Sequence, residues 1–145
     1  MSRPPEAVRL ARVKADAALA DLTEISSQIE TAAVFGTDGS ALASTFADEA
    51  LATRLVASAR ELLEAAAAVP GGAGRTLTQL EVALREGSVF VVREGELAIA
   101  AKTAASPTAG LVLYDLRACL RSLAQAPAEK SSAPRRRRPK KTADA

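Results

Sequence analysis

Three strand-length apolar runs, separated by two Glu-Gly pairs, constrain this fold more than any other feature of the chain. Leu77 to Arg85 alternates: Leu80, Val82 and Leu84 point one way, and Gln79, Glu81 and Arg85 the other. That is the period of a strand with one covered face. Ser88 to Arg93 (SVFVVR) is nearly continuous in apolar β-formers, as expected of a strand covered on both faces. Leu97 to Lys102 (LAIAAK) follows. Glu86-Gly87 and Glu94-Gly95 leave room only for tight turns, so the three runs read as an antiparallel meander.

Upstream, two more strands and two helices are legible. Val8 to Ser27 has helical spacing, with Leu10, Val13, Ala17, Leu22 and Ile25 on a broad apolar face and Asp16, Asp21 and Glu24 in water. Ala32 to Phe35 is a short apolar run that meets Asp38-Gly39, a hairpin signal because glycine accepts positive φ. Ser40 to Ser44 returns as a second strand. Thr45 or Asp48 caps the next helix, which runs to about Val69. Its expected face is Leu51, Leu55, Ala59, Leu62 and Ala66, widened by Val56 and Leu63, with Arg54, Glu61 and Glu64 outward. Pro70 to Gly74 reads as a mobile loop. Ser106-Pro107 looks like the start of a last helix, which reaches about Leu123 over a stripe of Leu113, Leu116, Leu120 and Leu123. The order is α-β-β-α-β-β-β-α, an α/β (α+β) class with a five-stranded antiparallel sheet and helices on both faces.

Length and composition bound the rest. The chain has 145 residues, enough for one domain with tails. Aromatic content is 3%, so Ala, Leu and Val must fill the core. We expect a disordered lead-in over 1–7, a domain over 8–126 and a disordered tail over 127–145. The charge is split between the last two. Residues 1–128 hold 12 Lys/Arg against 15 Asp/Glu, and residues 129–145 hold 7 against 2. The body is mildly acidic, and the basic character belongs to the tail. Its Arg135, Arg136, Arg137, Arg138, Lys140 and Lys141 are candidates for contact with phosphates or another anionic surface. An acidic partner and a simple solubilising role are the other readings.

Several chemistries have no support. The chain has no histidine and one cysteine, Cys119, so imidazole bases, imidazole metal ligands and internal disulfides are excluded. Cys119 sits in an apolar helical stretch and reads as packing. Gly71 to Thr76 superficially resembles a phosphate loop, but the spacing is wrong, the lysine is missing, and a strand follows where a helix is needed. Glu61/Glu64 and Glu94/Glu96 look like solvated faces and turn residues. No catalytic, cofactor-binding or metal-binding residues are assigned, and no enzymatic activity is expected. The chain lacks an apolar run of membrane-spanning length and a signal-peptide pattern at its start. With one cysteine this suits a reducing, cytoplasmic setting. High Ala and Arg content suggests a bacterial, GC-rich genome.

The ordered set of elements resembles the roadblock family of dynein-light-chain-like domains over roughly residues 10–125. The resemblance is carried by the hairpin Ala33 to Ser40 (AVFGTDGS), the long helix after Thr45, Gly87 to Val92 (GSVFVV) leading to Leu97 to Ala100 (LAIA), and Gly110 to Leu113 (GLVL) opening the final helix. The loop Pro70–Arg75 is unusually Gly-rich for the pattern, and the basic tail lies outside it. A profilin-like or sensory α/β domain has similar periodicity and is the rival fold.

The resemblance implies a sheet with the middle helix on one face and the terminal helices on the other. It also implies dimers, homo- or heteromeric, formed by pairing the second strand across a two-fold axis. Ser40, Ala41, Leu42, Ala43, Ser44, Leu55 and Ala59 are then the candidate dimer interface. Arg54, Ser58, Arg60 and Glu61 are the candidate partner-binding face. The partner implied is a small Ras-like GTPase, regulated or scaffolded by the dimer, with Arg54 and Arg60 as candidate arginines supplied in trans. The alternative function is a nucleic-acid- or nucleoid-associated adaptor anchored by the tail.

Overall fold

The computed structural model describes residues 6–71 and 78–132, with side chains as far as Leu123. The elements are α1 (Glu6–Ile25), β1 (Ile29–Gly36), β2 (Ala41–Ser44), α2 (Glu49–Ala67), β3 (Gln79–Ala83), β4 (Gly87–Glu94), β5 (Leu97–Ala104) and α3 (Ala109–Ser132). This is the expected order. The strands form one antiparallel sheet, β2-β1-β5-β4-β3. The meander β3-β4-β5 is therefore continuous, and the β1–β2 hairpin adds to its far side through β5. In register, Val34 faces Ile99, and Phe90 faces Ala101.

Alternation along the strands divides the core in two. Ala32, Val34, Phe90, Val92, Ile99 and Ala101 meet α1 and α3 on one face. Ala33, Phe35, Val91, Ala98 and Ala100 meet α2 on the other. The two-sided burial read from SVFVVR follows from this layering, since β4 and β5 lie inside a three-layer arrangement.

The α3 stripe packs as expected, whereas α1 and α2 pack on rows that only partly match those expected. In α1 the buried residues are Ala15, Ala18, Leu19 and Leu22, whereas Leu10, Val13 and Ile25 are exposed. In α2 the buried row is Ala52, Val56 and Ala59, with Leu63 half-buried behind it, and Leu51 stands out at 42% exposure. The cause is the same in both helices. Alanines on several sides make the apolar arc wider than the buried one, and the sheet, itself lined by alanine, takes the row that approaches most closely.

The ends differ too. Asp48, not Thr45, caps α2: its side chain accepts from the Ala50 amide at 2.9 Å. Thr45 instead prolongs the hairpin, donating its amide to the Ala32 carbonyl and accepting the Ala32 amide on Oγ1. Ser106 does not cap α3. It takes a left-handed φ of 56°, and α3 begins at Ala109 behind Thr108. The Thr108 amide is held by the Gln28 side chain at 2.7 Å. At its other end α3 runs past Leu123 to Ser132. Its last turns are rich in Ala, Gln, Glu and Lys, which favour helix, and the helix continues through Pro127. The lead-in before Glu6, the Gly-rich stretch 72–77 and the tail from 133 lie outside the described residues.

Candidate interaction surface: the open β2 edge and the outer face of α2

The hairpin that carries β2 is locally determined. Gly36 donates to the Ser40 carbonyl and Gly39 to the Gly36 carbonyl, both at 2.8 Å. Asp38 accepts from the Ser40 amide at 3.0 Å and from its hydroxyl at 2.7 Å, the local bonding that makes Asp a turn residue. These bonds from Ser40 hold the Asp38 carboxyl below the ordinary range, and Arg60 adds a smaller attraction. Such a group contributes to the turn above the ordinary carboxylate pKa. The contribution fades as pH falls through the lower folded value. We therefore expect the Ser40 amide to lose hydrogen-exchange protection at acid pH, and Asp38→Ala to abolish that pH dependence.

Gly39 has a φ of 98°, and a Cβ there would come within 2.7 Å of an Arg60 guanidinium nitrogen. Arg60 thus lies over the turn. Its guanidinium lies beside the hairpin tip of its own chain, and the residue is exposed. Arg54, Ser58 and Glu61 do point away from the sheet and are exposed.

β2 borders the sheet and pairs only with β1. Its other side exposes backbone donors and acceptors, which is the usual template for pairing with another chain. The register shifts between Val34 and Phe35, so Leu42 has no partner across the ladder, and such an irregularity bends the edge. A groove of about 640 Å³ follows this edge, floored by β2 and Ala33. Arg12 and Asp16 of α1 form one wall, and Phe46, Glu49 and Thr53 the other.

The expected interface residues therefore separate. Ser40, Ala41, Leu42, Ala43 and Ser44 all line the groove. Ala59 is 1% exposed on the buried side of α2, and Leu55 packs half-buried against the same cluster, so both serve the core on the α2 face. Arg12, Asp16, Phe46 and Thr53 were not singled out from the sequence. Phe46 carried a signal, as one of three phenylalanines and placed just after the edge strand. The candidate tail residues Arg135–Arg138, Lys140 and Lys141 lie outside the described residues.

Other chemistry on the surface is structural. Glu94 accepts from Arg117 at 3.1 Å and from Arg121 at 3.5 Å, and Arg117 also reaches Gln79, which pins α3 to the β3–β4 side of the sheet. Cys119 is buried, and burial pushes its thiol up to about 11, with Asp21 adding to the effect. It stays protonated at neutral pH and packs as an apolar group. Among the described residues no group of three or more His, Cys, Asp or Glu is placed to hold a metal. No helix among them is long and apolar enough to cross a membrane.

No protein-family model matches this sequence, and no curated protein matches it. Solved structures do. The roadblock/LC7 domain from Streptomyces avermitilis superposes with a TM-score of 0.69 at 19% identity, over 78% of this chain and 97% of that one. Myxococcus xanthus MglB does so with a TM-score of 0.63 at 11% identity, over 92% and 98%. A chain of the LokiProfilin1–rabbit actin complex also matches, with a TM-score of 0.53 at 14% identity, over 86% and 99%. The rival architecture is thus a neighbour of this one. The helix placement, the sheet order and these superpositions agree: the chain has the roadblock-family fold.

Proposed function

We propose that this chain is a dimeric interaction module that regulates or scaffolds a small Ras-like GTPase. The observation that carries the reading is the open β2 edge with a groove along it. A second copy brought in across a two-fold axis extends the sheet and satisfies the free edge. The groove wall suits self-pairing, because Arg12 and Asp16 carry opposite charges on one face of α1, and a two-fold axis passing between them sets each opposite the other's copy. The likeness to MglB and to a roadblock domain supports the GTPase half of the reading, since roadblock domains bind such GTPases. The exposed face of α2, with Arg54, Ser58 and Glu61, is the surface we assign to that partner. In this reading the chain performs no chemistry itself. It orders the GTPase's own catalytic parts, with Arg54 and Arg60 as the exposed candidate arginines on α2.

Two measurements test it. Light scattering of the full chain is expected to give a dimer. Ala41→Glu with Ser44→Glu places like charges across the axis, beside Glu49, and is expected to weaken association at least about tenfold with the circular dichroism unchanged. A pull-down with Ras-like GTPases of the same organism, in GDP and GTP-analogue states, is expected to capture one of them, and Arg54→Ala to weaken that capture. A monomer in solution removes the edge-pairing half. Absence of capture in both nucleotide states removes the GTPase half.

A further inference from the structure

The α1–α3 layer carries apolar surface that the core does not use. Ile25 is 71%, Leu111 56% and Tyr114 70% exposed. α1 ends beside the start of α3, where Gln28 holds the Thr108 amide. The two helices are therefore antiparallel, and the three side chains gather at one end of the layer. Leu111, Tyr114 and the exposed Ala118 follow at helical spacing and share the outward face of α3. A trough of about 170 Å³ runs between the helices next to them. The buried Ala18, Leu22 and Cys119 floor it, and Asp21, Ile25 and Asp115 stand along its sides.

The charge on this face has one sign. From Ala15 to Ile25 α1 has no lysine or arginine, and Asp21 and Glu24 are exposed. Lys14, the nearest cation on α1, lies about two turns before Asp21. From Ala109 to Leu116 α3 adds Asp115 and no base. Its first cations, Arg117 and Arg121, are held by Glu94 on the other flank.

Acids around apolar anchors repel lipid and nucleic-acid phosphates, so the complementary surface is a protein that offers cations. A trough between two antiparallel helices receives the ridge of a third helix, and an amphipathic helix laid in such a trough buries its aliphatic stripe. We propose that the outer face of α1 and α3 docks a basic amphipathic helix of a partner protein. Ile25, Leu111 and Tyr114 pack against its aliphatic stripe, and Asp21, Glu24 and Asp115 meet its lysines or arginines. This face lies across the sheet from α2, so the inference goes beyond the GTPase reading and does not depend on it.

Tyr114 is the only tyrosine and the chain has no tryptophan, so tyrosine emission reports on this face alone. The probe is a peptide of about sixteen residues with leucine along one helical face and lysine elsewhere, beside a second peptide with glutamate in place of lysine. Titrated into the full chain at neutral pH, the lysine peptide is expected to change Tyr114 emission to saturation and the glutamate peptide to leave it unchanged. Affinity for the lysine peptide is expected to fall at least about fivefold between about 0.05 and 0.5 M salt. By anisotropy of the labelled lysine peptide, Ile25→Ser with Leu111→Ser is expected to weaken binding at least about tenfold. Asp21→Asn with Asp115→Asn is expected to weaken it at least about threefold and to flatten its salt dependence. Tyr114→Ser alone is expected to give a smaller loss than the Ile25/Leu111 pair, with unchanged circular dichroism as the check on folding. The proposal is overturned if the lysine peptide is not bound at up to about 1 mM, if the glutamate peptide binds equally, or if the Ile25/Leu111 variant binds like the parent. It is also overturned if another occupant covers the face. A second copy would shield Tyr114 from acrylamide increasingly as protein concentration rises, and a segment of the same chain would shield it at every concentration. GTPase capture by these variants is expected to be unaltered, so failure here leaves the GTPase reading standing.

Discussion

Phe90→Ala is expected to lower the unfolding free energy by about 3–5 kcal/mol. Phe90 is fully buried at the centre of β4, on the face shared with α1 and α3. Aromatic residues are scarce in this chain, and several side chains in the same cluster are alanines, Ala15, Ala18, Ala32 and Ala101 among them. Alanine has no length with which to fill the space a lost ring leaves, so the vacated volume stays largely empty. A single small domain is stable by only about 5–15 kcal/mol in total, so the variant loses a large part of its margin. Urea titration of parent and variant, with the slope held common, measures the difference. A loss below about 1 kcal/mol would mean that α1 and α3 close over the gap, contrary to the rigid packing argued here.

Gly87→Ala is expected to be the second most damaging single change, at about 2–3 kcal/mol. A Cβ at this position would lie 2.0 Å from the Thr103 carbonyl oxygen. That atom belongs to the backbone of β5 and cannot swing away as a side-chain terminus would. The Gly87 carbonyl also accepts from the Leu84 amide at 2.7 Å, so moving the residue disturbs the β3–β4 turn as well as the β4–β5 ladder. Gly110 is the control. Nothing lies within 4 Å of a Cβ built there, in the first turn of α3, so Gly110→Ala is expected to stabilise by about 0.4–1 kcal/mol through the unfolded state. Thermal melts of the two variants should move in opposite directions. Equal shifts would remove the steric argument.

The strands and the face of α3 were legible and the faces of α1 and α2 only in part, for a physical reason. A strand has a two-residue period, so Val34 and Phe35 or Phe90 and Val91 are assigned to opposite sides as soon as one of them is placed. A helix must choose an arc. In α1 and α2 alanine occupies both the buried and the exposed arcs, and leucine and valine at positions 10, 13 and 51 mark surface rather than core. Cα spacing alone cannot separate these cases, because the choice depends on how closely the facing sheet lets a helix approach. The edge position of Ser40 to Ser44 came from the family resemblance, which pairs the second strand across a two-fold axis, and β2 does border the sheet. The walls of its groove were not, since Arg12 and Asp16 come from α1, some 30 positions earlier, and nothing local links them to β2. That Arg60 lies over the Asp38-Gly39 turn was not legible either, since the two stretches are far apart in the chain and nothing local links them.

The composition of β5 has one more effect. Ala98, Ala100 and Ala101 are fully buried on the central strand, two beneath α2 and one beneath the paired terminal helices. The middle of the sheet therefore acts as the thin point of a sandwich, where layer spacing is dictated by the neighbours' longer side chains. Adding even one methylene at Ala100 works as a wedge under α2. Because the same helix carries Arg60 over the hairpin tip, a bulge in the interior of the plate is transmitted to its border.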